Sequence, residues 1–111
     1  MNSINSIENL KKYKHIHMLG IGGVSMSGIA EILHHWGISV TGSDCTKSRV
    51  TDRLSSHGIL VSINNPNNDL IKKSDLVIYS AAIQKSDPEL IYAINNNIPV
   101  IERSDFVRIY Y

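Results

Sequence analysis

His15-Ile16-His17-Met18-Leu19-Gly20-Ile21-Gly22-Gly23-Val24-Ser25-Met26-Ser27-Gly28 decides how this chain is read. Five residues of strand character run into a glycine cluster, and the cluster opens a helix. The helix shows in Met26, Ile29, Ala30, Leu33 and Trp36, which share one face at the 3.6-residue period. Gly37 stands where a helix C-terminal glycine belongs. A sharp strand-to-helix turn needs a residue that tolerates positive φ. Backbone without side chains also lets a phosphate approach closely. The helix start then offers unpaired N–H groups and the positive end of the helix dipole to that anion. The usual dinucleotide fingerprint is G-x-G-x-x-G, and Ser25 takes its third position. A tight turn with no ligand is the alternative reading of the same residues.

Outward from this stretch, strand and helix signals alternate. Ile38-Ser39-Val40-Thr41 reads as a second strand, closed by Gly42-Ser43-Asp44. A helix over about Arg49 to His57 has Ser48 as its N-cap and Gly58 as its stop. Ile59 to Ile63 is a third strand, and Asn64-Asn65-Pro66-Asn67-Asn68 is a loop. Asp75 to Tyr79 is a fourth strand, apolar enough to be buried on both faces. Pro88 opens a further helix in its first turn. Ile98 to Ile101 is a fifth strand, and Ser104 or Asp105 caps a last helix. Residues 1–13 form a leader whose Ile7 and Leu10 could dock on the domain. Strands separated by helices imply parallel pairing. The expectation is an α/β, Rossmann-like doubly wound fold: a mainly parallel five-stranded sheet with helices on both faces, over residues 14–111.

Bulk properties narrow the function. A chain of 111 residues is one small domain. A net charge of +1 and 19% charged residues point to neither nucleic acid nor an anionic membrane. The Lys11, Lys12 and Lys14 cluster reads as a solvated helix face. Cys45 is the only cysteine, so no internal disulfide can form. With no long apolar run near the N-terminus, a cytoplasmic protein is expected. There is no G-x-x-x-x-G-K-[ST] for ATP and no Cys/His metal spacing. Asp44 lies roughly 20 residues past the glycines, where dinucleotide folds place an acid on ribose hydroxyls. A turn or capping role is the competing reading. His17 could equally be a satisfied core histidine or a functional one.

His17-Met18-Leu19-Gly20-Ile21-Gly22-Gly23, followed by Met26-Ser27-Gly28-Ile29-Ala30-Glu31, resembles the opening motif of the UDP-N-acetylmuramate–L-alanine ligases of the Mur ligase family. The likeness continues in order through Val40-Thr41-Gly42-Ser43-Asp44, then Val50-Thr51 with Leu54, and Ser80-Ala81-Ala82-Ile83 with Asp87-Pro88-Glu89. It ends at Ile98-Pro99-Val100 with Arg103. It implies the first domain of a three-domain, ATP-dependent enzyme of peptidoglycan precursor synthesis, holding the UDP part of UDP-N-acetylmuramate. ATP and magnesium would belong to a central domain, and the amino acid to a C-terminal one, both outside this chain. The chain alone would then be inactive.

By position, the resemblance assigns the diphosphate to Gly20, Ile21, Gly22 and Gly23, with Ser25 and Met26 at the helix start. It assigns the uridine to Ser43 and Asp44, and the cleft wall to Ser80, Ala81 and Ala82. Ser25 stands where the family has glycine. Asn65 stands where it often has histidine, and could donate a hydrogen bond there without a charge. Arg103 matches a family arginine near the domain boundary. Alternatives are the first domain of a murein-peptide ligase, a nicotinamide-nucleotide-binding regulatory module, and a ligand-free assembly domain. Gly22 and the Ser80 to Ile83 segment favour the alanine ligase over the murein-peptide ligase, whose pattern there is Gly-Ile-Cys-Gly and Asn-Ala-Met.

Overall fold

A computed structural model describes Leu10, residues 12–66 and residues 68–110. Five strands form one sheet: β1 (His15–Leu19), β2 (Ser39–Asp44), β3 (Leu60–Ile63), β4 (Leu76–Tyr79) and β5 (Val100–Glu102). Their order is β3-β2-β1-β4-β5, and every pairing is parallel. The helices are α1 (Val24–His35), α2 (Arg49–Ser56), α3 (Asn68–Lys72), α4 (Pro88–Asn95) and α5 (Arg103–Tyr110). Strand order reverses between β1 and β4, the place where doubly wound sheets open a crevice at their carboxyl ends.

Two apolar layers sandwich the sheet. On one face Ile16, Met18, Val40, Leu76 and Ile78 pack with Met26, Ile29, Ala30 and Leu33 of α1, Leu54 of α2 and Phe106 of α5. On the other, Leu19 and Val77 meet Ile71 of α3 and Leu90 and Ala93 of α4. Period-2 alternation along β1 and β4 sends successive side chains to opposite layers, so β4 is apolar on both sides, while β1 gives Ile16 and Met18 to one layer and His15, His17 and Leu19 to the other. Leu10 is buried in the first layer, while Ile7, the other leader residue expected to dock, lies outside the described residues. Ser48 caps α2 reciprocally with Thr51, each side chain bonding the other's backbone N–H. Asp87 caps α4, with Pro88 in its first turn.

Four local expectations are corrected. β2 does not close at Thr41. It runs through Gly42 and Ser43 to Asp44, because β1 and β3 flank it and carry the ladder on: Gly42 pairs with Met18 and Val61. Gly42 is therefore a strand residue. It marks a close approach of the Ile21 side chain rather than a turn. β5 starts at Val100, because the Ile98 amide is taken by the Ala93 carbonyl at the end of α4 and Pro99 has no N–H to give. The last helix starts at Arg103, and the Glu102 carboxylate accepts the Ser104 amide in place of a Ser104 or Asp105 cap. The five-residue α3 was not foreseen. It is too short for a periodic signal, and burial of Ile71 secures it.

A Cβ on Gly42 would stand 2.4 Å from Ile21 Cδ1 and 2.7 Å from Ile21 Cβ. Gly42→Ala should therefore destabilise the domain by about 1–3 kcal/mol through overpacking, read from the urea midpoint. An unchanged midpoint would show that Ile21 can move aside freely.

Candidate functional site

The carboxyl ends of β1, β2 and β4 meet at one edge, and each contributes one part. From β1 comes the glycine turn. Gly20 has φ of 79°, which a side chain would strain. The amides of Gly20 and Ile21 both donate to the Ser43 carbonyl, at 2.9 and 3.1 Å, and the Gly23 amide donates to the Gly20 carbonyl at 3.2 Å. The turn is thus bonded to the end of β2 and to itself. Gly23 is the N-cap of α1, and no side chain caps that helix. The amides of Val24 and Ser25 in its first turn therefore have no side-chain acceptor. Gly23, Val24 and Ser25 are exposed and Gly22 is half-buried.

From β2 comes Asp44. Its Oδ2 accepts the Gly22 amide at 2.9 Å and its Oδ1 accepts the Thr46 amide at 3.1 Å. These two bonds leave lone pairs on both carboxylate oxygens, so Asp44 can still accept from a hydroxyl or an imide N–H. The Asn64 amide donates to the Asp44 carbonyl, which brings the exposed Asn65 to the same edge. From β4 comes Ser80, whose amide donates to the Leu19 carbonyl. A Cβ on Gly20 would meet Ser80 Oγ at 2.8 Å, so the two segments touch. Ala81 and Ala82 follow, both exposed.

The residues singled out from the sequence thus gather at one edge but at two depths. Gly22, Gly23, Ser25, Asp44, Asn65, Ser80, Ala81 and Ala82 have surface to offer. Ile21 and Met26 are 0% and 1% exposed, with side chains packed in the core. Ser43 is 7% exposed, its carbonyl engaged by the turn. These three support the edge from beneath. Arg103 begins α5, beyond the end of β5.

Beneath the turn lies a polar seam. His15, His17, Thr41 and Ser43 project to the face covered by α4. His15 Nε2 and His17 Nδ1 both bond Thr41 Oγ1, at 2.9 and 2.7 Å. Ser43 Oγ donates to Glu89 Oε1, and His17 Nε2 lies 3.4 Å from Glu89 Oε2 without the alignment of a hydrogen bond. His17 and Glu89 are almost wholly buried. Sequence reading left His17 undecided and met Glu89 only as part of a family motif. The available signal was parity: alternate polar residues on two strands otherwise built for burial call for a partner on the covering helix. Desolvation of the half-buried His15 ring, aided by neighbouring His17, lowers its pKa from the usual 6.5. Among the described residues, no group of three or more His, Cys, Asp or Glu is placed to hold a metal ion, and no helix is long and apolar enough to cross a membrane.

A parallel five-stranded sheet with helices on both faces, and a glycine turn opening an uncapped helix beside an acid at the end of the neighbouring strand, define a doubly wound α/β domain. Residues 15–110 match the Mur ligase family, catalytic domain, and the chain belongs to that family. It is 44% identical over 102 residues to a UDP-N-acetylmuramate–L-alanine ligase of Clostridium tetani, covering 92% of this chain and 22% of the relative. The corresponding ligase of Clostridium acetobutylicum is 48% identical over 94 residues, covering 85% of this chain and 20% of the relative. The crystal structure of a UDP-N-acetylmuramate-alanine ligase from Thermotoga maritima superposes with a TM-score of 0.80 at 31% identity, covering 86% of this chain and 22% of that one. The chain therefore spans about a fifth of the length of these relatives.

A Cβ on Gly22 would meet Asp44 Oδ2 at 2.7 Å and Thr51 Cγ2 at 3.0 Å. Gly22→Ala should thus act through Asp44: the carboxylate turns away and the Thr46 amide resonance shifts in the free protein. A Thr46 resonance that stays in place would refute this coupling. Because His15 has a lowered folded-state pKa, the unfolded chain binds its proton first as pH falls below 6.5. Stability should drop on going from pH 7.5 to the acid side of that value, and His15→Gln should flatten the fall. Identical urea-midpoint profiles for the two proteins would exclude His15 as a source of the slope.

Proposed function

We propose that this chain is the UDP-sugar-binding, N-terminal domain of a UDP-N-acetylmuramate–L-alanine ligase. The observation that carries the reading is the uncapped start of α1, set behind a glycine turn whose Gly22 amide is tied to Asp44. The relatives' names supply the ligand class. The amides of Val24 and Ser25, at the exposed and uncapped helix start, meet the diphosphate, where partial positive charge favours an anion. Asp44 accepts from the nucleoside. Ser80, Ala81 and Ala82 form one wall of the cleft, and Asn65 offers an amide donor at the other.

In the whole enzyme, ATP would pass its γ-phosphoryl group to the muramyl carboxylate, releasing ADP and giving an acyl phosphate, from which the alanine amine would displace phosphate to form the amide bond. ATP, magnesium and the amino acid are held by central and C-terminal domains outside this chain. The residues here bind and orient the nucleotide end of the substrate, so the chain alone performs no ligation. Contact made largely through main-chain amides also means that the isolated domain binds weakly, since the contacts of the other domains are missing.

Titration with UDP-N-acetylmuramate, followed by amide NMR, should shift Gly22, Gly23 and Ser25, whereas NAD at the same concentrations should not. Asp44→Ala should weaken the UDP-sugar by about 1–3 kcal/mol, the range for a charged hydrogen-bond partner. Shifts with NAD alone would sink the reading. So would formation of UDP-N-acetylmuramyl-alanine by the purified chain with ATP and alanine, in its claim that the reacting groups lie elsewhere.

A further inference from the structure

We propose that Glu89 is a positioning residue for the nucleotide edge, fixing the glycine turn through its hydrogen bond with Ser43; as a claim about ligand affinity this rests on the reading above. The path is short. Glu89 is the second residue of α4, at the helix end where a carboxylate is electrostatically favoured. Its backbone is held there by the Asp87 cap, whose Oδ1 accepts the Glu89 and Leu90 amides. One carboxylate oxygen accepts the Ser43 hydroxyl. The other faces His17 Nε2 at 3.4 Å, and the far ring nitrogen of His17 is tied to Thr41 on β2. Ser43 in turn receives both amides that begin the turn, Gly20 and Ile21, on its carbonyl.

The side chain and the main chain of one residue thus join the covering helix to the phosphate-facing loop. Glu89 itself is 6% exposed and sits beneath the edge, so its influence on a ligand passes through the turn. A carboxylate buried to this extent is tolerated only with partners. Here its partners are the strands that carry the turn and Asp44. The link needs an acceptor at Glu89 for the Ser43 hydroxyl, and a glutamine oxygen can supply one as well as a carboxylate can.

The test uses Glu89→Ala and Glu89→Gln in the 111-residue chain, with hydrogen exchange of the Gly20 and Ile21 amides measured without ligand and UDP-N-acetylmuramate affinity measured alongside. Glu89→Ala should speed exchange of those two amides about tenfold beyond any change in the amides of β4, and lower affinity by a similar factor. Glu89→Gln should restore both to within about threefold of the parent. A uniform rise in exchange across the sheet would overturn the proposal, because it would mark a merely structural role. So would a Glu89→Gln protein as impaired as Glu89→Ala, or a Glu89→Ala protein unchanged in both readouts. If Glu89→Ala fails to fold, Ser43→Ala removes the same link from its other end. Local loss of Gly20 and Ile21 protection would support the proposal there, and unchanged protection would overturn it. Should the parent chain not bind the UDP-sugar, the proposed function falls, while the exchange data still judge the positioning of the turn.

Discussion

The Ser43 carbonyl accepts two consecutive amides, those of Gly20 and Ile21, at the point where β1 gives way to the glycine turn. The chain must reverse there from strand to helix, and the reversal strips the main chain of its ladder partners. Buried amides cannot be left without acceptors. Ser43 supplies one for both, and Asp44, the next residue, supplies another for Gly22. Two adjacent residues at the end of β2 thus hold three of the four residues of the turn. That is possible only because β2 continues past Gly42, whose missing side chain lets Ile21 lie across the strand. The placing of the uncapped start of α1 follows from this anchoring.

Parallel sheets covered on both faces favour apolar strands. This sheet obeys the rule on the β4 side and departs from it where β1 and β2 meet. His17, Thr41 and Ser43 put polar atoms into a layer that elsewhere holds Leu19, Val77, Leu90 and Ala93. Apolar side chains could fill the same space and would avoid the desolvation of a carboxylate. The polar choice brings direction: a hydrogen bond constrains angle as well as distance, which dispersion contacts do not. On the proposed reading, a loop that meets its ligand through main-chain amides depends on such constraint, because glycines offer no side chain to adjust.

The domain's depth of support contrasts with the thinness of its exposed contact set. Few side chains project from the edge: Val24, Ser25, Asp44, Asn65, Ser80 and two alanines. Such an edge suits one part of a larger enclosure, consistent with a chain that spans about a fifth of its relatives.

The alternation of strand and helix, the parallel sheet, the glycine turn and the buried stripe of α1 were legible from residue order, because each follows from local periodicity or from the backbone freedom of glycine. The Ser48 and Pro88 helix starts were legible for the same reason, and motif order named residues that the fold gathers at one edge of the sheet. What tertiary structure alone decided is which of those residues face outward and which stand behind. Met26 and Ile21 turn inward because the sheet offers them a core. β2 outlasts its glycine because strands on both sides pair with it. Glu89 finds Ser43 across 46 residues of chain, a distance at which neither propensity nor period carries information and only packing brings an acceptor to its donor.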